Sequence, residues 1–127
     1  MSNIKISKVN NLLGIKYQGE RIVNLCPHPI RIVSPWKKDE IITIPQSGNV
    51  ARTNKEQSDV EKHAGFTIKR EIYGDVYGLP EEVDGTIYIV SSRVLKVLNN
   101  SRKDVVSIGK QIRDPMGKTI LTISFRR

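Results

Sequence analysis

The 127-residue chain contains one cysteine and two histidines. A lone thiol cannot form an internal disulfide, and no paired Cys/His spacing supplies the ligand set of a structural zinc. A chain without disulfides suits a reducing compartment, and the cytoplasm is the simplest such setting. Long apolar runs are also missing: nothing approaches the ~18 residues that span a bilayer, and Met1 to Val9 lacks the apolar stretch of a signal peptide. Membrane and secreted roles are therefore not expected. Aromatic residues make up only 6% of the chain, few for a groove that stacks successive bases.

Catalytic signatures are equally scarce. The sequence contains no GxxxxGK[ST], GxGxxG or HExxH, so P-loop hydrolysis, dinucleotide redox chemistry and zinc proteolysis all lack their parts. Cys26 and His28 form the nearest approach to a nucleophilic pair. Pro27 and Pro29 set both in a turn, and no third residue is placed to orient the imidazole. The plainer reading makes Cys26 a small core residue and His28 a hydrogen-bonding turn residue. A binding protein is expected, with no catalytic residue, metal ligand or cofactor.

Acidic charge is scarce in one place only. The chain is +8 overall, and from Ser91 onward nine basic residues (Arg93, Lys96, Arg102, Lys103, Lys110, Arg113, Lys118, Arg126, Arg127) face only Asp104 and Asp114. Most of the net positive charge therefore lies in the C-terminal third, which implies an anionic partner without naming it.

What the sequence has in quantity is short β-type runs. Strands are expected at Arg21 to Leu25, Ile30 to Val33, Glu40 to Ile44, Asn49 to Thr53, Thr67 to Tyr73, Thr86 to Val90, Val105 to Ile108 and Thr119 to Phe125, with Pro, Gly and Asn clusters between them. Strands spaced this closely indicate a single mainly β domain (α+β) over residues 1–127, a small decorated barrel or sandwich with one or two helices. Alternation is imperfect, which leaves open which face is buried. A further strand or helix is possible around Ile4 to Tyr17. The clearest helix follows Ser91 and Ser92, with Val94, Leu95, Val97 and Leu98 on one face and Asn99 to Ser101 as the stop. Its start offers amides to an anion, or the serines simply cap it. Asn54 to Gly65 is polar and acidic and reads as a loop or a short exposed helix, either a lid over a pocket or a plain surface excursion.

Recognition of a nucleotide needs cations or amides for phosphate and a flat side chain for the base. Tyr77, in the glycine-containing stretch Tyr73 to Pro80, is the first candidate platform, because glycines let backbone approach a ligand closely. Trp36 either stacks a base or covers core, while Tyr88 lies in an apolar strand and belongs to the core. Arg52 and Arg113 are candidate phosphate contacts, although Arg113 beside Asp114 can equally be structural.

The motifs Asn24-Leu25-Cys26-Pro27-His28-Pro29, Ile44 to Arg52, Tyr77-Gly78-Leu79-Pro80-Glu81, Gly85 to Ser91, Arg102 to Val105 and Arg113 to Gly117 resemble the first-described Thoeris anti-defence family. These are small viral proteins that sequester cyclic nucleotide signals. The resemblance covers roughly Ile22 to Ser124. It implies a β-barrel-like core, assembly as dimers or hexamers, and action in the host cytoplasm. It implies binding of a cyclic ADP-ribose isomer without cleavage, and in some members separate sites for cyclic oligonucleotides. Carried onto this chain, it points to Arg52, Tyr77, Ser91, Arg102 and Arg113 as nucleotide contacts. The family's base-reading asparagine has no clear counterpart, since the Tyr88 to Ser92 region offers serines instead. Two other readings stand beside it: a small basic β-barrel that binds nucleic acid, and an assembly protein of a virion or tail.

Overall fold

The computed structural model describes residues 5–9 and 11–127, the side chains of 5–9, 55–59 and 71–73 excepted. Among these residues the chain forms β1 (Lys5–Val9), β2 (Leu12–Tyr17), β3 (Glu20–Asn24), β4 (Ile30–Val33), β5 (Ile41–Ile44), β6 (Arg52–His63), β7 (Phe66–Tyr77), β8 (Thr86–Ile89), α1 (Ser92–Leu98), β9 (Val105–Ile108), β10 (Gln111–Arg113), β11 (Thr119–Thr122) and β12 (Phe125–Arg126). The protein is mainly β with one short helix. No closed barrel forms among the described residues. The strands make three sheets, ordered β1-β2-β3-β8-β9-β12, β10-β11-β4-β5 and β6-β7.

The apolar runs explain why the large sheet sits at the centre. Successive side chains of a strand point to opposite faces. Ile22, Ile87, Ile89 and Val106 therefore pack with Ile30, Ile32, Ile42 and Ile44 of the four-stranded sheet. Their immediate neighbours Val23, Tyr88, Val90 and Val105 pack on the other face with Val94, Leu95 and Leu98 of α1 and with Ala51 and Val76. The face left open by the sequence pattern is thus both faces: consecutive apolar residues are the mark of strands covered on each side. Parallel pairings of β3 with β8 and of β8 with β9 lie in the middle of this sheet, where such pairings are usually buried.

Five of the eight expected strands fall within a residue or two of the observed elements. Of Asn49 to Thr53 only Arg52 and Thr53 are strand, as the start of β6, because the Asn49 amide donates to Ser47 Oγ in a turn; the run expected at Thr67 to Tyr73 is longer, β7 continuing to Tyr77. Three further expectations also differ. The N-terminal stretch is two strands, β1 and β2, paired antiparallel; Ile4 lies outside the described residues. The run Thr119 to Phe125 is divided between two sheets, with β11 beside β4 and β12 beside β9. The largest correction concerns Asn54 to Gly65. It is neither loop nor helix but most of β6, which pairs with β7 from Arg52↔Tyr77 to His63↔Phe66. Ala64 (φ 51°) and Gly65 (φ 83°) make the connecting turn, and two successive positive φ values define the tight hairpin turn whose twist matches that of the strands. The result is a projecting two-stranded arm with its root against α1.

Candidate functional site

The arm's root sets Arg52 directly opposite Tyr77. Residues facing each other in an antiparallel pair share a face, so a guanidinium and an aromatic ring stand side by side. Arg52 is exposed and has no partner among the described residues, and Tyr77 is 50% exposed. Asn54 donates from Nδ2 to the Tyr77 hydroxyl. Cation, ring and amide therefore occur together on one short surface. Groups of these three kinds can contact a phosphate, stack on a base and hydrogen-bond to its edge.

The support beneath this surface is firm. After Tyr77 the chain turns at Gly78, whose φ of +74° and 2.5 Å approach to the Val50 carbonyl oxygen, measured from where a Cβ would stand, leave room for glycine alone. The close approach expected of this stretch is therefore made against the chain itself, not a ligand, and residues up to Tyr77 are strand rather than turn. Three side chains from the body then hold the following loop. Asn49 Nδ2 donates to the Gly78 carbonyl (2.6 Å), Arg102 Nη2 to that of Pro80 (2.9 Å), and the Tyr88 hydroxyl to that of Glu81 (3.2 Å).

Arg102 is accordingly engaged within the protein. Its Nε and Nη2 donate to the two carboxylate oxygens of Asp104 at 2.8 Å each, and Glu82 lies 3.3 Å from Nε. This fork-to-fork pairing raises the guanidinium pKa, with the Asp104 hydrogen bonds the main cause and burial opposing them. Arg102 positions the loop that follows Tyr77. Ser91 is likewise committed: it is the N-cap of α1, and its Oγ accepts from the Val94 amide at 3.3 Å. The helix is only seven residues long.

Arg113 stands apart. It ends β10, the outermost strand of the four-stranded sheet, and donates to the Gly117 carbonyl and to Gln111 Oε1, both at 2.9 Å. Of the five sequence candidates, the structure pairs Arg52 with Tyr77, gives Arg102 to the loop that follows Tyr77, sets Ser91 at the cap of α1, the helix against β6 and β7, and leaves Arg113 in another sheet. Asn49 and Asn54 escaped the sequence reading. A hairpin centred on Ala64-Gly65 would have revealed Asn54, because counting back along both strands brings it near Tyr77.

The other candidates resolve simply. Cys26 is buried, with its thiol 3.9 Å from the Ile89 carbonyl and its pKa pushed up by burial to about 11. His28 is exposed and its Nδ1 meets the carbonyl of Pro29. The turn between them is shaped by buried Asn24, which accepts from the Cys26 amide and donates to the His28 carbonyl, both at 2.8 Å. Trp36 lies against Tyr17, with ring centroids 4.6 Å apart. It borders an apolar cleft of about 370 Å³ between the two larger sheets, walled chiefly by isoleucines and Phe125. Among the described residues that cleft has no cationic wall residue, which makes it ill suited to a phosphate.

No protein-family model, curated protein or solved structure matches this chain.

Proposed function

We propose that the protein binds a small cyclic nucleotide of the cyclic ADP-ribose type at the root of the arm and holds it intact, as a sponge in the host cytoplasm. The observation that carries this reading is the facing pair Arg52 and Tyr77, with Asn54 bonded to the tyrosine hydroxyl. Arginine supplies a fork for phosphate oxygens, the ring supplies an apolar face for a base, and the amide supplies donors and an acceptor for its edge. The sequence resemblance supports the same ligand class. Sequestration requires affinity and abundance rather than stabilisation of a transition state, so the site needs no nucleophile or general base.

The surface is open on one side, whereas tight small-molecule sites bury most of their ligand. A second protein surface completes it in this reading, and the active species is an oligomer, a dimer or a hexamer. A thermal-shift screen against cyclic ADP-ribose isomers, cyclic di- and trinucleotides, ADP-ribose, NAD and a short single-stranded DNA tests the proposal. A ligand that binds only the native state at a hundred times its Kd stabilises it by about 2.7 kcal/mol. The expected result is a large shift with one cyclic nucleotide, retained at high salt, lost in Arg52→Ala and Tyr77→Ala, with the ligand recovered intact after heat denaturation. A cleaved product, or a shift with DNA alone that disappears as salt rises, would refute it.

A further inference from the structure

The arm has no core of its own. Residues 60–70 are exposed throughout, and among the described residues neither outer edge of the β6-β7 sheet has a third strand. Isolated two-stranded hairpins are marginal in water, yet this one displays large apolar side chains along its outer half: Phe66 is 74% exposed, Val60 59% and Ile68 46%. The register sets His63 opposite Phe66, Glu61 opposite Ile68 and Val60 opposite Lys69. Alternate residues share a face, so Phe66 and Ile68 form an apolar stripe with Glu61 and His63 on one side of the ribbon, and Val60 lies on the other.

Charge discriminates among occupants. Between Arg52 and Tyr77 there are five basic residues (Arg52, Lys55, Lys62, Lys69, Arg70) and five acidic ones (Glu56, Asp59, Glu61, Glu71, Asp75), so the entire formal +8 lies outside the arm. A ribbon that tracks nucleic acid carries surplus Lys and Arg for the phosphates; this one carries no surplus. Two bodies of high like charge repel each other. Twelve-residue strands extend roughly 40 Å, several times the ~8 Å screening length of physiological salt. Two arms that overlap with their bodies at opposite ends therefore meet on neutral ground, with the like charges screened.

We infer that the Phe66–Ile68 face of the arm is the contact surface for a second copy of this chain. The inference deepens the oligomer of the nucleotide reading by naming its contact surface, and the pairing itself needs no ligand. Mixed charges flanking an apolar stripe also suit a self-complementary contact, which a two-fold dimer requires.

Sedimentation velocity of the full chain tests this up to about 100 µM, where even a micromolar pair is assembled. The wild type sediments as a dimer or a higher even-numbered assembly. The double variant Phe66→Ser/Ile68→Thr, which preserves strand-compatible residues at one of its two positions, raises the dissociation constant by about 30-fold or more, the effect of losing a buried aromatic anchor. Hydrogen exchange separates this from misfolding: in the variant, arm amides exchange faster while those of β3, β8 and β9 stay protected. A wild type that is monomeric at every concentration overturns the inference. So does a double variant that associates as tightly as the wild type, or loss of protection in the body together with the arm. Because ligand shifts are read separately on the same samples, failure of the pairing and failure of the nucleotide reading are distinguishable.

Discussion

The central sheet and the arm are both β structure, but they obey opposite rules. In β3, β8 and β9 consecutive residues are apolar because both faces are covered: Val23, Ile89, Val90 and Val105 are fully buried. In β6 and β7 the polar residues outnumber the apolar ones, and the outer half is exposed and among the described residues pairs only with its own partner strand. Burial of apolar area supplies most of the stability of a small domain. The body therefore carries the fold, and the arm consists of surface. The candidate site lies where they join, with the proposed ligand contacts Arg52, Asn54 and Tyr77 on the arm and the bonds that fix the adjoining loop coming from the body.

This contrast can be challenged by substitution. The largest effect is expected in the body: Ile89→Ala removes a fully buried side chain and destabilises the protein by about 2–5 kcal/mol in urea unfolding. The junction comes next. Gly78→Ala forces a left-handed φ onto a residue whose Cβ would collide with the Val50 carbonyl, which costs about 2–3 kcal/mol or more and weakens ligand binding. The same change at Gly65 meets nothing within 4 Å and costs about 1–2 kcal/mol for its φ alone. If the two variants melt alike, the junction is not the rigid support described above.

Arg102→Met removes the bidentate pair with Asp104 and the hold on the Pro80 carbonyl. The expected loss is about 1.5–3 kcal/mol, typical of hydrogen bonds to charged groups, with weakened nucleotide binding although no ligand contact is assigned to this residue. A calorimetric titration in which affinity is unchanged would sever the loop from the site. Cys26 gives a pH test. Its folded pKa is raised to about 11 from an ordinary 9.0, so the stabilisation is fully present below pH 9 and is lost as pH rises towards 11. By pH 10 the loss is about 1.4 kcal/mol, and Cys26→Ser, which has no thiol, lacks this component in parallel unfolding curves. The smallest effect belongs to the arm: Ile68→Thr changes the melting temperature of the monomer by no more than a surface substitution does, within about 0.5 kcal/mol.

What could be read from the chain follows the same division. The body's strands announce themselves because Thr86-Ile87-Tyr88-Ile89-Val90 and Val105-Val106 are too apolar to lie anywhere but inside a sheet. The arm was hidden for the complementary reason. Glu56 to His63 lacks apolar alternation, and Ala64-Gly65 lacks the Asn-Gly or Asp-Gly signature of a tight hairpin turn. Partner-strand hydrogen bonds hold β6, and these leave no mark in one strand's composition. Tyr77 and Arg52 were visible as residue types, but their pairing across the hairpin was not. Arg102 looked like any basic residue, because its engagement with Asp104 and Pro80 depends on a loop brought in from another part of the chain. The expectation of a mainly β fold holds, but the eight expected strands are twelve among the described residues, no closed barrel forms among them, and nothing in the composition marks where the chain changes sheets between Thr122 and Phe125.

The parallel pairing of β3 with β8 has a consequence in time. Residues 25–85 lie between these neighbours, and they include the four-stranded sheet's β4 and β5 and the whole arm. On the ribosome the hairpin is complete while the strand that will anchor its root to the central sheet is still being synthesised. Closing so long a loop before its contacts reward it makes folding slow, in the millisecond-to-second range of proteins dominated by non-local pairing. Throughout that interval Val60, Phe66 and Ile68 are already displayed, so the earliest encounter between two nascent chains is governed by an exposed segment that carries no net charge.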